Sequence, residues 1–394
     1  MKPLVEPAPE LTLPERRRYA RHLLLADVGE EGQRRLKNAR VLVVGAGGLG
    51  SPTLLYLAAA GVGTIGVVDD DVVDESNLQR QVIHGTDDLG RPKVASAKDA
   101  VARVNPLVEV IPHQVRLTPE NALDLARGYD LVLDGADNFA TRYLVADTCE
   151  ILGVPCVWGS ILRFDGQVST FWSGVGPVYR DVFPDPPDPR LVPSCAEAGV
   201  VGVLPGAIGA AMAAEAIKLI TGRGRTLIGR LLIHDALAAT WREITVRPDP
   251  SREKITDLST RARDYSASCG LPDAPEKVET DMSVPEVTPR ELADRLAARS
   301  EGRGEEELLV IDVREPQEYD IVAIDGAELV PLDTLMSGAT SLPREKDIVL
   351  HCRSGVRSEK AGQALLDAGY ERVSHLTGGV LAWVRDIEPD KPTY

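Results

Sequence analysis

Two short loops in this 394-residue chain have the residue types and spacing to do chemistry. The first is Gly45-Ala46-Gly47-Gly48-Leu49-Gly50, entered from the apolar run Val41–Val44 and followed by a helix-compatible segment, Ser51–Ala60. A strand, a glycine turn and a helix N-terminus together aim backbone N–H groups and the positive end of the helix dipole at a phosphate. The second is Cys352-Arg353-Ser354-Gly355-Val356-Arg357-Ser358, entered from another apolar run, Ile348–Leu350. Here a cysteine occupies the cradle. Loop N–H groups, the following helix and the cations Arg353 and Arg357 would stabilise a thiolate or persulfide anion. The interval from Cys352 to Arg357 is one residue short of the phosphatase Cys-x5-Arg spacing, which weighs against phosphate-ester chemistry.

Alone, the glycine loop also fits a dinucleotide-binding oxidoreductase. Asp69, ending the second strand, would hold a ribose hydroxyl in either case. The cations favour a triphosphate. Arg80 lies in the polar run Asp74–Gln81, Lys93 follows in Arg91-Pro92-Lys93, and Arg21 is a further candidate. Attack at a phosphorus needs several such charges, each worth roughly 4 kcal/mol at 4 Å and an effective dielectric near 20. Asp137 closes Asp134-Gly135-Ala136-Asp137-Asn138 at a strand's C-terminal end, where ligands bind in this kind of sheet. It could hold a magnesium ion that keeps waters and phosphates as its other ligands.

The elements that must position these residues read as an α/β chain. Two short arginine-rich helices fill Pro14–Asn38. Strand-like Val41–Val44, Thr64–Val68, Val108–Ile111 and Leu131–Leu133 alternate with helical Ser51–Ala60, Arg91–Val104, Pro119–Arg127 and Ala140–Leu152. That rhythm implies a Rossmann-like, doubly wound, mostly parallel sheet. Val154–Ser160 and Gln167–Trp172 flank an Asp165-Gly166 turn signal, so the sheet is expected to become mixed there. Gly174–Pro193 reads as an irregular crossover, Ala207–Thr221 as a helix, and Leu231–His234 with Thr240–Val246 as a last strand pair. Pro248–Pro285 is rich in Pro, Ser, Asp and Lys and reads as a linker. A smaller α/β unit follows, with strands at Leu308–Asp312, Glu328–Val330, Asp347–Leu350 and Arg372–His375. The expected division is therefore 1–247, a linker over 248–285, and 286–394.

Composition narrows the setting. A net charge of -16 argues against nonspecific nucleic-acid or anionic-membrane binding. Five cysteines, at 149, 156, 195, 269 and 352, form no disulfide framework, and a reducing cytoplasm is the simplest expectation. Cys149 and Cys156 read as core thiols and Cys269 as incidental. The uncharged stretch Gly199–Ala214 carries Pro205 and several glycines and reads as a buried loop and core helix rather than a membrane span.

Residues 1–247 resemble the MoeB/ThiF family of adenylating enzymes, relatives of the ubiquitin-activating enzymes. The matching pieces are Arg18-Tyr19-Ala20-Arg21-His22, the glycine loop, Ser76–Gln81, Pro92-Lys93, Asp134–Asn138 and Ser194-Cys195-Ala196-Glu197-Ala198-Gly199. The resemblance implies that Gly45, Gly47, Gly48, Asp69, Asn77, Arg80, Lys93, Asp137 and Asn138 contact ATP or magnesium. It also implies that Arg21 reaches a neighbouring protomer's site, so a homodimer is expected. Cys195 becomes a reactive thiol by the same resemblance. The family's two Cys-x-x-Cys zinc pairs are absent, since Val178, Asp181, Ser251 and Lys254 stand at those positions; no structural zinc is expected.

Residues 286–394 resemble a rhodanese, on Ile311–Glu315, Ile324–Ala327, Cys352–Ser358 and Leu376–Val380. Such a domain carries sulfane sulfur as a cysteine persulfide, here on Cys352 with Arg353, Ser354, Gly355, Val356 and Arg357 as its cradle. The two resemblances together imply a fused adenylyltransferase/sulfurtransferase. It would activate the C-terminal glycine of a small ubiquitin-like sulfur carrier ending in Gly-Gly and convert it to a thiocarboxylate. The sulfur would come from thiosulfate or a cysteine desulfurase. Carriers serving molybdopterin, thiamine, cysteine or tRNA thiolation look alike at this level. Two other classes stay open: an NAD(P)-dependent oxidoreductase with an appended rhodanese, and a noncatalytic carrier-binding scaffold.

Overall fold

The computed structural model describes residues 1–187, 199–266, 284–338 and 342–393. Cys195, Cys269 and the Ser194–Ala198 part of the adenylation motif lie outside the described residues. The chain divides into two compact units, Met1–Asp273 and Ala274–Tyr394.

The first unit is built on eight strands: β1 (Arg40–Val44), β2 (Thr64–Val68), β3 (Glu109–His113), β4 (Leu131–Asp134), β5 (Cys156–Leu162), β6 (Asp165–Phe171), β7 (Arg230–Asp235) and β8 (Thr240–Thr245). Their order is β3-β2-β1-β4-β5-β6-β7-β8, parallel as far as β5 and antiparallel beyond it. The runs Val41–Val44, Thr64–Val68 and Leu131–Asp134 are buried throughout, as strands covered by helices on both faces must be. The order reverses at β1, between β2 and β4, so the loops leaving β1 and β4 open side by side.

Helix Leu204–Thr221 is long and apolar enough to cross a membrane by length and composition. It serves as a core helix, packed on helix Gly50–Ala60 and on β5 and β6, with Ile208, Met212, Leu219 and Ile220 fully buried. Each such side chain contributes about 1.5–3 kcal/mol by leaving water. Pro205 sits in its first turn, where the missing N–H costs no hydrogen bond, so the helix starts earlier than the expected Ala207.

Three sequence expectations shift. The β5–β6 hairpin turns at Arg163-Phe164, with Leu162 paired to Asp165, rather than at Asp165-Gly166. Arg163 takes the positive φ of 54°, and Gly166 lies inside β6 because an added Cβ would stand 2.5 Å from the Ile208 side chain. The N-terminal segment forms three helices, Leu13–Arg18, Ala20–Leu23 and Gly29–Asn38, rather than two. The linker expected from residue 248 is shorter at its start. Ile255 and Leu258 are buried, and helix Ala262–Ser266 packs on helix Phe139–Leu152. Buried Arg180 fixes it there, donating to Asp147 and to Asp264, while the Tyr265 hydroxyl donates to Asp147.

The positions of the missing zinc ligands are bridged by charge. Asp181 accepts from the Val178 N–H at 2.7 Å and from Arg252 Nε at 2.9 Å, and Arg252 Nη2 donates to the buried Glu150 at 2.7 Å. Ser251 donates to Asp249. Removing Arg252 would strand two buried carboxylates, at a cost of about 3 kcal/mol or more. Arg252→Ala should therefore lower the unfolding temperature of the first unit by several degrees, while incubation with a strong chelator leaves the unmodified protein's unfolding temperature unchanged. Calorimetry checks both; a chelator-induced drop would show that a metal is holding this region.

The second unit is a five-stranded, wholly parallel sheet: β9 (Glu286–Val287), β10 (Leu308–Asp312), β11 (Ala327–Leu329), β12 (Asp347–His351) and β13 (Val373–Leu376), in the order β11-β10-β12-β13-β9. The two-residue β9 is too short to leave a periodic signal and has no counterpart in the sequence reading. Central β12 delivers its chain end directly into the cysteine loop.

Candidate active site

The glycine loop leaves β1 and helix Gly50–Ala60 begins directly after it. Glycine is required here at particular points. Gly45 has φ +90°, and a Cβ on Gly50 would stand 1.9 Å from the Gly45 carbonyl oxygen. Two polar side chains brace the turn. Asp69, just past β2, accepts from the Ala46 N–H at 2.8 Å and from the Asp71 N–H at 2.9 Å. Buried His84 bridges the Ala46 carbonyl at 3.0 Å and the Ser96 hydroxyl at 2.7 Å. Burial pushes the Asp69 carboxyl up, against the opposing pull of Lys93 and the two N–H donors. Burial likewise pushes the His84 imidazole down, so it stays a neutral brace.

Around this loop the fold gathers most of the residues read from sequence. A Cβ on Gly48 would lie 3.3 Å from Pro205 Cγ and 3.7 Å from Arg80 Cγ, so loop, cation and helix start converge. Gly47 faces Gln81 in the same way. Arg80 donates to the Ser76 carbonyl at 3.0 Å, within the turn that also carries Asn77. Lys93 is buried and donates to the exposed Asp71 at 2.8 Å, a partner that a phosphate could replace. The β4 end lies against the loop: Gly45's Cβ position is 3.0 Å from the Gly135 oxygen. Asp137 is exposed there. Asn138 caps helix Phe139–Leu152 by accepting from Thr141 N–H at 2.8 Å, which leaves its amide N–H groups for a ligand. Arg21 is not brought into this group. It lies exposed on helix Ala20–Leu23, which packs against helix Gly29–Asn38.

Asp134 Oδ2 and Gln81 Oε1 are among the buried side-chain atoms that have no hydrogen-bond partner among the described residues. Burial pushes the Asp134 carboxyl up to about 6, its Oδ1 accepting from Ala136 N–H. Asp134 and Asp137 offer the hard oxygen donors that magnesium prefers, and an orphaned carboxylate oxygen is what a nearby cation would satisfy. His84 and Asp134 were not singled out from sequence; His84 lies three residues beyond the Ser76–Gln81 motif and reads there as an ordinary histidine.

In the second unit, Cys352 follows β12 and is buried, 1% exposed. Its Sγ accepts from the Gly355 N–H at 3.1 Å, and Gly355 has φ +108° so that its N–H can turn inward. The Ser358 hydroxyl lies 3.6 Å from Sγ and donates to the Gly355 carbonyl at 2.8 Å. Helix Val356–Asp367 begins immediately after Gly355. The loop is pinned from the other side by helix Gly379–Asp386: Val380 N–H donates to the Cys352 carbonyl and Leu381 N–H to that of Arg353. A Cβ on Gly379 would come within 2.5 Å of both carbonyls, which explains that glycine. Arg357 sits in the first turn of helix Val356–Asp367. Its guanidinium makes a bidentate pair with Glu318, both contacts 2.7 Å, a partner the sequence reading did not include. Beneath the loop, Asp312 and Arg314 form a fully buried pair beside His351, whose imidazole burial pushes down to about 4. Neither Glu318 nor Ser358 was read as functional; both look like surface helix residues by composition.

A braced phosphate loop at a sheet's switch point and a sulfur held under a loop N–H define a two-part α/β transferase, one part for a nucleotide and one for sulfur. A ThiF-family model matches residues 19–254 and a rhodanese-like domain model matches residues 289–386. The probable adenylyltransferase/sulfurtransferase MoeZ of Mycobacterium tuberculosis is 54% identical over 402 residues, covering 100% of this chain and 99% of that protein. The sulfur carrier protein adenylyltransferase of Thermus thermophilus is 54% identical over 261 residues, covering 64% of this chain and 96% of that one. In fold, the crystal structure of E. coli MccB with ATP superposes at a TM-score of 0.55 with 20% identity, over 61% of this chain and 75% of that one. The chain belongs to the ThiF family and, with its C-terminal rhodanese-like domain, to the fused adenylyltransferase/sulfurtransferases. It is an enzyme of both transferase classes.

Proposed function

We propose that the chain adenylates the C-terminal glycine of a small ubiquitin-like carrier protein ending in Gly-Gly, then passes it sulfur from a Cys352 persulfide. The carrier carboxylate attacks the α-phosphorus of ATP, and pyrophosphate leaves from an acyl-adenylate. Arg80 and Lys93 lie where they can oppose the charge that develops on the phosphates. Asp69 holds the ribose with its remaining lone pairs while it braces Ala46. Asp137, with Asp134 behind it, would hold magnesium, which supplies further charge neutralisation on the phosphates when bound. The Cys352 persulfide attacks the activated carbonyl and AMP leaves. A second thiolate, assigned to Cys195, takes the bridging sulfur of Cys352, freeing a thiocarboxylate and leaving a Cys195–Cys352 disulfide for an external dithiol to reduce.

The observation that carries this reading is Cys352 Sγ under the Gly355 N–H in the same chain as the Asp69-braced glycine loop. The exposed Leu24 and Leu25 beside Arg21 support a homodimer in which Arg21 completes the partner's site. In this reading thiosulfate or a cysteine desulfurase supplies the sulfur, no structural zinc takes part, and the cytoplasm is the setting. The test incubates full-length enzyme with ATP, magnesium, thiosulfate and each candidate carrier. Intact mass should show one carrier oxygen replaced by sulfur. A panel in which no carrier gains sulfur or supports pyrophosphate exchange would remove the carrier protein as the substrate of this reading.

A further inference from the structure

The cysteine loop carries a charged partner that the reaction above does not use. Glu318, on helix Pro316–Ile321, accepts from both fork nitrogens of Arg357, Nη1 to Oε2 and Nη2 to Oε1. Their side chains are 11% and 23% exposed, so solvent and salt screen the pair weakly. Glu318 is held in place independently of Arg357. Its Oε2 accepts from the Glu315 N–H at 3.0 Å, closing the first helical turn. Its carbonyl and that of Val322 accept from Arg314, which Asp312 grips from the core. Arg357 sits in the first turn of the helix that caps the sulfur loop. A bidentate carboxylate both cancels that cation's charge and takes the two donors that an oxyanion would use.

We propose that Glu318 sets sulfur-donor selectivity, keeping the Cys352 loop a weak site for the thiosulfate dianion and favouring donors of lower charge, such as alkyl persulfides. The proposal rests on Cys352 being the sulfur acceptor. With thiosulfate, the Cys352 thiolate attacks the sulfane sulfur, a new S–S bond forms, and sulfite leaves with the electron pair of the old one. The dianion would meet a guanidinium whose charge and two donors Glu318 already takes. An alkyl persulfide transfers its outer sulfur and leaves as a thiolate, with no sulfonate oxygens to place.

The test measures persulfide turnover in the full-length protein, with cyanide as acceptor and thiosulfate or an alkyl persulfide as donor. Glu318→Gln keeps the shape and the cap on Glu315. It should lower KM for thiosulfate about tenfold at low salt, the scale of one unmatched charge at short range. The kcat should stay within about twofold, because no reacting atom is touched. KM for the alkyl persulfide should not move. Arg357→Gln, which removes the cation paired with Glu318, should raise KM for thiosulfate, and the double variant should return it toward wild type. An unchanged thiosulfate KM in Glu318→Gln, an equal shift for both donors, or a fall in KM with Arg357→Gln would overturn the proposal. Turnover by Cys352→Ala overturns instead the reading beneath it, so the two failures are distinguishable.

Discussion

Cys352→Ala should retain carrier-dependent ATP–pyrophosphate exchange at the wild-type rate while forming no thiocarboxylate. The two loops belong to separate compact units with separate sheets, so a change of one buried thiol to a methyl leaves the nucleotide loop untouched. Alanine has no atom to carry sulfur. Among the described residues the other cysteines, Cys149 and Cys156, are buried in the first unit's core, and burial with the Cys149 neighbour pushes the Cys156 thiol up. Neither can substitute. The effect is therefore a loss of essentially all sulfur transfer, read by intact mass of the carrier. Cys195→Ala should differ: adenylation and Cys352 persulfide survive, release slows, and added dithiol restores it. Thiocarboxylate made from thiosulfate by Cys352→Ala at the wild-type rate would sink the sulfur half of the mechanism.

Asp137→Ala should have the reciprocal outcome, with pyrophosphate exchange abolished and Cys352 persulfide formation intact. The exposed Asp137 lies in the loop after β4, which passes Gly45 at Gly135, and the Asp134 that ends β4 has an oxygen without a partner among the described residues. Removing one oxygen ligand from so small a set costs most of the affinity for a hard cation. The fold should survive, because Asp137 is not packed in the core. Circular dichroism and the unfolding temperature check that point. Exchange at the wild-type rate in Asp137→Ala would remove the metal assignment, and a larger loss in Asp134→Asn than in Asp137→Ala would move it to the end of β4.

Much of this site was legible because its chemistry is local in sequence. Gly45–Gly50 and Cys352–Ser358 each announce themselves by a buried strand, a glycine and a helix, and the parallel sheet followed from the alternation of strand and helix patterns. What escaped depended on distant pairing. The Arg357–Glu318 bridge spans 39 residues and the His84 brace reaches back 38, distances at which spacing carries no signal. The turn at Arg163-Phe164 escaped because Asp165-Gly166 is the stronger turn signal, and Gly166 is instead demanded by the Ile208 side chain packed over it. Residues 252–266 look polar enough for a linker, yet Arg252 and Asp264 are polar because they answer buried partners.

Helix Leu204–Thr221 sets an order of events on the ribosome. It covers helix Gly50–Ala60, with Thr53 donating to the Gly209 carbonyl, and it also receives the chain's start, where Leu4 N–H donates to the Leu219 carbonyl. The first βαβ segment is therefore synthesised long before the helix that seals it. At about 5–20 residues per second, the 144 residues from 60 to 204 take roughly 7 to 30 seconds to emerge. During that interval the apolar side of Gly50–Ala60 has no native cover, and the nascent chain is a substrate for chaperones before it is an enzyme.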